Sequence, residues 1–509
     1  MRWTGADVAA ALGIGSTTGG EGRVYAGIGT DTRTLERGRL FVALRGERHD
    51  AHAFLTQAAH AGAIGAIVDH IPADAPATLH YITVRDTLEA LGALGRFHRR
   101  RLGVRVVAIT GSNGKTTTKD LVRSVLATRY RVHATPGNWN NLIGVPLTLL
   151  GCPDDAQVIV AELGTNLPGE VARLAGIAEP DAAVVTTVSA EHLEGLGDLE
   201  GVLREETSVL PWLPKGAVAV VSDEPAVLSR RARELTGEVH VAGFSERVDA
   251  DFRGFDLSLD EEGQVRFTWA ERAVALRLRG RHNGWNAMLA LALGRSFNVE
   301  DGAAIEAVQS IEPAKMRGEF HRYGGLTVIA DCYNSNPGSL AAAIALLQDI
   351  DRRGARVAVL GTMRELGEAS GRLHEEAARN IAATGLDLIV ATGEFVGAFR
   401  SIGLNEDRLI LEEDPLVAFD RLVPRLRGDE VVLLKGSRGV RLERLLPRFE
   451  ERWKGGGVLH PHGETFGSRA SETFTVDRGD ANTAEHPPTG DDHGGAGGIR
   501  AEARVAMGG

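Results

Sequence analysis

The run Thr110-Gly111-Ser112-Asn113-Gly114-Lys115-Thr116-Thr117 carries the groups that hold a phosphate chain. A glycine-rich turn between a strand and a helix aims backbone N–H groups at phosphate oxygens. In that setting the Lys115 ammonium neutralises the β- and γ-phosphates, and the Thr116 hydroxyl holds Mg²⁺. The strict pattern G-x-x-x-x-G-K-[ST] fails at one place, because Ile109 stands where the first glycine belongs. The bland alternative is an ordinary glycine-rich turn. Against it, Val104–Thr110 reads as a buried strand and Thr117–Thr128 as a helix, the context this chemistry requires.

Glu162 and His192 are the next pair. Each follows or ends an apolar stretch, Val158–Ala161 and Ala182–Val188, read as strands of the same sheet. Open α/β sheets bind ligands at the carboxyl ends of their strands, so both side chains converge on the phosphate loop. Mg²⁺ prefers oxygen ligands and shares them with substrate phosphates, which suits Glu162 to a metal position and His192 to a second. Taken singly, each is also a strand-end carboxylate or a loop histidine in water. Later in the chain, Asp331 ends a strand and Cys332-Tyr333-Asn334-Ser335-Asn336-Pro337 follows. An aromatic ring beside two amides offers stacking and hydrogen bonds to a nucleobase; the alternative is an Asn-rich turn closed by proline. Cys332 has no base in view and reads as a packed thiol.

The elements that must position these groups repeat in a βα order. In the first hundred residues, Leu40–Leu44 and Ile64–Val68 read as strands, and Ala51–Ala61 and Asp86–Arg101 as helices. A second series starts near Met316, with strands at Leu326–Ala330, Val357–Leu360, Leu386–Ala391 and Val431–Leu434. Gly338–Ile350, Ser370–Thr384 and Pro415–Leu426 are the helices between them. Strands separated by helices give parallel sheets with right-handed crossovers. The expected division is residues 1–102, 103–313 and 314–454. Residues 455–509, rich in Gly, Pro, His, Thr and Asp without apolar periodicity, are expected to be a disordered tail. His460 and His462 in it read as solvated rather than metal-bound.

Length and composition agree. The 509 residues suit roughly three domains at about 150 residues each. The net charge of −11 gives no basic face for nucleic acid. Two cysteines exclude a disulfide scaffold and a four-cysteine zinc site. No apolar stretch approaches the roughly 18 residues of a membrane span, and the N-terminus has no signal-peptide pattern, so a cytoplasmic protein is expected.

Together, the Thr-Gly-Ser-Asn-Gly-Lys-Thr-Thr-Thr run, Glu162, His192, Arg281-His282-Asn283, Arg317 and Asp331 resemble the Mur ligases. The resemblance spans roughly residues 25–450. Within that family, three stretches resemble the branch that adds D-alanyl-D-alanine: Tyr333–Pro337, Leu360–Gly367 and Asn138–Pro146. It implies a three-domain α/β architecture, with a central P-loop parallel-sheet ATPase domain and a Rossmann-like C-terminal domain. It implies an ATP- and Mg²⁺-dependent peptide ligase of peptidoglycan precursor synthesis. UDP-N-acetylmuramoyl-tripeptide and D-alanyl-D-alanine would be joined through an acyl phosphate, in the cytoplasm and by a monomer. Lys115, Glu162, His192, Arg317 and Asp331 would be catalytic. Thr116 and Glu162 would hold one magnesium, and Glu162 with His192 the other. Gly111 to Thr117, Asn283, Asn286, Arg317, Asp331, Tyr333, Asn334 and Asn336 would contact ATP. Thr32, Arg33, Asp50, His52, Asn140 and Asn141 would contact the UDP-substrate.

The chain departs from the family pattern at several places. Thr32 stands for serine, Ala51 for glycine and Thr187 for asparagine. Many Mur ligases carry a carbamylated lysine one helix after the histidine, and counting from His192 that position falls on Glu206. A glutamate supplies an anionic carboxylate without CO₂, which makes Glu206 an expected metal ligand; otherwise Glu205 and Glu206 are two solvated acids on a helix face. The rivals are a P-loop ATPase without ligase activity, a folylpolyglutamate-type ligase and a non-catalytic nucleotide-binding regulator. The first would hydrolyse ATP without peptide substrates. The long N-terminal module argues against the second, and intact Lys115, Glu162 and His192 against the third.

Overall fold

The computed structural model describes residues 2–16, 20, 22–46, 49–246, 248–350 and 354–453. The expectation for residues 455–509 falls outside them. Among the described residues, no helix is long and apolar enough to cross a membrane.

The strand Arg105–Thr110 lies at the centre of the fold. Val106, Val107, Ala108 and Ile109 are fully buried, as expected of a parallel strand covered by helices on both faces. It belongs to a sheet in the order Phe252–Arg253, Val239–Gly243, Val218–Ser222, Ala182–Val185, Arg105–Thr110, Val158–Glu162, Val132–Ala134, every pair parallel. After Arg105–Thr110 the chain builds outward on one side, with Val158–Glu162 adjacent, and later on the other, with Ala182–Val185 adjacent. The strand order reverses there, and such reversals open a crevice at the carboxyl ends.

The helix Lys115–Ala127 follows the loop directly, two residues earlier than the apolar pattern alone predicts. Its inner face packs on the helix His282–Ser296. In that helix nearly every residue from Asn283 to Gly294 is buried, as an all-round apolar sequence demands. An antiparallel sheet of Phe255–Leu259, Gln264–Trp269 and Arg272–Arg279 closes this face. Val265, Phe267, Trp269, Val274, Leu276 and Leu278 point inward from it. The sequence reading lacks this hairpin, although its alternating apolar residues are the period-two signal of a half-buried strand.

A four-stranded parallel sheet precedes the central one: Ile28–Gly29, Leu40–Val42, Gly65–Val68 and His80–Thr83. The helix Thr87–Leu102 joins the two; Asp86 caps it, accepting from the N–H groups of Leu88 (2.7 Å) and Glu89 (3.0 Å). Where one helix was expected over Ala51–Ala61, the chain forms a 3₁₀ turn, Ala51–Phe54, then a short helix, Leu55–His60. Asp50 caps the turn, which sets its tighter start.

The last sheet runs Glu319–Tyr323, Leu326–Asp331, Val431–Lys435, Arg356–Leu360, Leu388–Ala391, Leu409–Leu411. Only its first pair is antiparallel. The helix expected over Pro415–Leu426 ends at Leu422, because Pro424 follows and the chain tightens into a 3₁₀ turn.

Candidate active site

The phosphate loop is Gly111–Gly114, between the end of its strand and the start of its helix. Gly111 has φ 123° and Gly114 φ 83°, a backbone region that disfavours any Cβ. Space is lacking as well: a side chain at Gly111 would collide with Thr186, and one at Gly114 with the Asn286 amide. Ile109 is a fully buried core residue whose carbonyl accepts the Leu163 N–H, so the departure from the strict motif lies in the sheet, not in the loop.

Lys115 turns back over the loop, donating from Nζ to the Gly111 carbonyl. Its Nζ lies 3.5 Å from Glu191 Oε1 and 4.0 Å from Glu206 Oε1. Burial pulls its pKa down, but Glu191, Glu206 and Glu162 together outweigh that and hold it above the ordinary lysine value. The ammonium is therefore charged across the physiological range. Thr116 Oγ1 donates to Glu162 Oε1 over 3.1 Å, and Asn140 Nδ2 to the same oxygen over 2.9 Å. The other oxygen, Glu162 Oε2, is buried with no hydrogen-bond partner, and Lys119 Nζ is 3.9 Å away.

Glu206 is fully buried at the root of the loop. Its Oε2 accepts from the Thr110 hydroxyl and, over 2.7 Å, from the Gly111 N–H. Its Oε1 has no hydrogen-bond partner and faces Lys115. Glu205 corrects the alternative of two solvated acids, for it too is buried. It accepts from the N–H groups of Gly169 (2.6 Å) and Val171 (2.8 Å), fixing the start of the helix Glu170–Ala178.

His192 sits at φ 50° between two carboxylates. Its Nδ1 is 2.6 Å from Glu365 Oε2, and its Nε2 is 3.8 Å from Glu191 Oε2. Burial lowers the imidazole pKa, but Glu365 and Glu191 outweigh it and the net direction is upward. Glu191, which the sequence reading does not single out, is buried, and burial carries its pKa above the usual carboxylate range despite Lys115 and His192 beside it. No sequence pattern marks it, since its partners Lys115 and Asn336 are distant in the chain. Asn336 Nδ2 reaches across to donate to Glu191 Oε2 (3.2 Å) and Asn113 Oδ1 (2.9 Å).

Asn283 and Asn286 are buried beside the loop with their amides joined. Asn286 Nδ2 donates to Asn283 Oδ1, and Asn283 Nδ2 to the Arg279 carbonyl. The Arg317 guanidinium lies 4.2 Å above the Tyr333 ring. Asp331 meets Lys435 Nζ at 3.1 Å, and Lys435 also donates to the Asn334 carbonyl. Lys435 is a buried cation that the sequence reading missed. Burial pushes the Cys332 thiol up to about 12, consistent with packing rather than nucleophilic attack.

The residues expected to contact a UDP-substrate divide. Arg33 is held by Asp31, and His52 Nδ1 contacts Asp50 Oδ1 at 2.6 Å, at the carboxyl ends of the first sheet, where Thr32 also lies. Asn140 donates to Glu162, and Asn141 Oδ1 accepts from the Ile143 and Gly144 N–H groups at the start of the helix Gly144–Leu150. Thr187 donates its hydroxyl to the Glu224 carbonyl. Among the described residues, the cluster in which three His, Asp or Glu ligand atoms fall within reach of one ion is His52, Asp69 and His70. The loop carboxylates and His192 stand farther apart than that.

Comparison with known proteins agrees with this geometry. The Mur ligase middle domain profile matches residues 109–294, and the Mur ligase, glutamate ligase domain profile matches residues 316–438. The chain is 35% identical over 434 residues to the UDP-N-acetylmuramoyl-tripeptide–D-alanyl-D-alanine ligase of Bacillus subtilis, covering 84% of this chain and 93% of that protein. A crystal structure of MurF from Acinetobacter baumannii superposes with a TM-score of 0.80 at 30% identity, over 89% of this chain and 99% of that one. MurF from Thermotoga maritima, solved in complex with ADP, gives a TM-score of 0.74 at 27% identity, over 84% and 97%. With likeness of this extent added to a phosphate loop set at the switch point of a parallel sheet, the chain belongs to the Mur ligase family.

Proposed function

We propose that the chain joins D-alanyl-D-alanine to UDP-N-acetylmuramoyl-tripeptide at the expense of ATP, in the cytoplasm and as a monomer. One observation carries the reading. Lys115, Thr116, Glu162 and His192 stand at the carboxyl ends of three adjacent parallel strands, and Asn336 and Glu365 reach the same place from loops of the last sheet. The names of the relatives support the choice of substrates.

In the reaction, the terminal carboxylate of the tripeptide attacks the γ-phosphorus of ATP, forming an acyl phosphate and releasing ADP. The dipeptide amine then attacks the carbonyl carbon, and the tetrahedral intermediate expels phosphate to leave an amide. Lys115 meets phosphate oxygens whose charge grows during transfer. Without nucleotide it is matched to Glu191 and Glu206, so phosphate replaces carboxylate as its partner. Gly111–Gly114 cradles the phosphates. Arg317, Tyr333, Asn334 and Asn336 bring the third domain onto the nucleotide, with Asn283 and Asn286 behind the loop. Thr32, Arg33, Asp50 and His52 hold the UDP end.

Mg²⁺ fits the donor set, because Glu162 Oε2 and Glu206 Oε1 are buried acceptors with no hydrogen-bond partner. Thr116, Glu162, His192 and Glu206 would hold it, and the bound ion would neutralise the transferring phosphoryl group. Glu206 takes the carbamylated-lysine position as a built-in carboxylate. The deciding experiment is phosphate release with ATP and UDP-N-acetylmuramoyl-tripeptide, with and without D-alanyl-D-alanine. Release that needs both, with the pentapeptide product seen by mass spectrometry, supports the reading. Equal release without the peptide substrates overturns it.

A further inference from the structure

The loop after the strand Arg356–Leu360 reaches out of the last sheet and lies against the loop that carries His192. Three contacts join them. Glu365 Oε2 stands 2.6 Å from His192 Nδ1. The Glu194 N–H donates to the Glu365 carbonyl over 3.2 Å. Gly367 sits so tightly that a Cβ there would be 2.9 Å from Glu194 Cα. The reaching loop is braced from behind: the Met363 N–H donates to His374 Nε2 (3.0 Å) and the Arg364 N–H to Ser437 Oγ (2.9 Å). Glu365 is therefore presented by a fixed loop.

The backbone says the same. His192 has φ 50° and Glu365 φ 65°, and both are non-glycine residues in the left-handed region. Such conformations persist where the surroundings over-determine them, and they gather at functional sites. Here two of them meet side chain to side chain. A metal-binding imidazole commonly gives its second ring nitrogen to a carboxylate, which fixes the tautomer and aims the first at the metal. His192 has the carboxylate in place, with Glu365 Oε2 paired to Nδ1 at 2.6 Å though out of line for a hydrogen bond, and with Nε2 turned to the side where Glu191 and Lys115 lie.

We infer that Glu365 is a positioning residue for His192, and that it makes the His192 metal position conditional on the third domain lying against the central one. The carboxylate beside Nδ1 fixes where the ring lies, with Nε2 on the side of Glu191 and Lys115. Glu365 and His192 belong to different sheets, so when the domains part the imidazole is free to rotate and the ligand is lost. Metal affinity and domain closure become one equilibrium, and each favours the other. The inference rests on reading His192 as a magnesium ligand.

The test measures Mn²⁺ binding to the full chain with saturating ADP, counting free Mn²⁺ by electron paramagnetic resonance. Glu365→Gln keeps the size of the side chain beside Nδ1 and removes its charge; Glu365→Gly removes the side chain and accepts φ 65° without strain. The expected result is a graded loss, with affinity at one Mn²⁺ site falling a fewfold in Glu365→Gln and roughly tenfold or more in Glu365→Gly. Glu365→Gly should melt no lower than the parent, separating the effect from unfolding. Activity in Glu365→Gly should recover at high Mg²⁺, a shift in metal requirement rather than in kcat. Glu368→Gln, an exposed acid nearby, should change nothing. If His192→Ala weakens Mn²⁺ binding while both Glu365 variants bind as the parent does, the positioning role is overturned and the reading of His192 stands. If His192→Ala itself binds as the parent does, the metal reading falls and the inference with it.

Discussion

Lys115 Nζ stands 3.5 Å from Glu191 Oε1, so the lysine of the glycine loop is already paired with a buried carboxylate. The lysine is thus kept charged and aimed before nucleotide arrives. Lys115→Ala should lower turnover by roughly a hundredfold or more, the scale of a lost electrostatic catalyst. Steady-state phosphate release with both peptide substrates measures it, and a rate near the parent's would remove Lys115 from the chemistry.

Glu206 and Glu205 are neighbours in sequence with separate tasks. Glu206→Gln should raise the Mg²⁺ requirement or cut turnover sharply, because it removes charge beside the loop. Activity of the parent should not respond to added bicarbonate. Glu205→Gln should leave the Mg²⁺ requirement alone and cost about 1–2 kcal/mol of stability, since charged bonds to two backbone N–H groups become neutral ones. Melting curves and magnesium titrations of the two variants distinguish these outcomes; matching profiles would refute the division of labour.

Asn336 uses both ends of its amide. Its Oδ1 accepts the Ser339 N–H and caps the helix Pro337–Asp349, while its Nδ2 bridges Asn113 and Glu191. Asn336→Asp preserves the cap but sets a carboxylate against Glu191. It should melt within a few degrees of the parent and turn over at least tenfold more slowly. A variant with unaltered turnover would show that the bridge is idle.

His98 gives a pH prediction away from the site. It is buried against Trp3, with neither ring nitrogen hydrogen-bonded, and burial lowers its pKa to about 4. The unfolded imidazole takes up a proton near pH 6.5 and the folded one only near 4, so stability falls as pH drops through that window. The loss is at most about 3 kcal/mol by the size of the shift. His98→Phe should flatten the pH dependence of the melting temperature between 6.5 and 4; an unchanged slope would mean that other groups govern it.

Much of this was legible because it is local. Lys115 and Thr116 declare themselves through strand, glycine turn and helix within one stretch of chain. Glu162 and His192 follow from the rule that parallel strands deliver ligands at their carboxyl ends. What stayed hidden depends on distant partners. Glu205 looks like a solvated helix acid until Gly169 and Val171, more than thirty residues earlier, bring their N–H groups to it. Glu191 and Lys435 look like ordinary surface charges, but Asn336 reaches Glu191 from another sheet, and Lys435 ends a strand flanked on both sides and pairs with Asp331, about a hundred residues away. Asn140 belongs to a stretch that resembles a substrate contact, and nothing local announces that its amide reaches Glu162, more than twenty residues on.

Ile109 has a consequence for how the catalytic cycle ends. Its side chain is locked in the sheet and its carbonyl in the ladder, so the wrapping of phosphates falls to Gly111–Gly114 alone. A loop this short supplies one wall, and Asn336 reaches it from another sheet, 2.9 Å from Asn113 Oδ1. A nucleotide bound between these two surfaces would leave only as they part, so its release would follow that motion rather than the strength of any one contact.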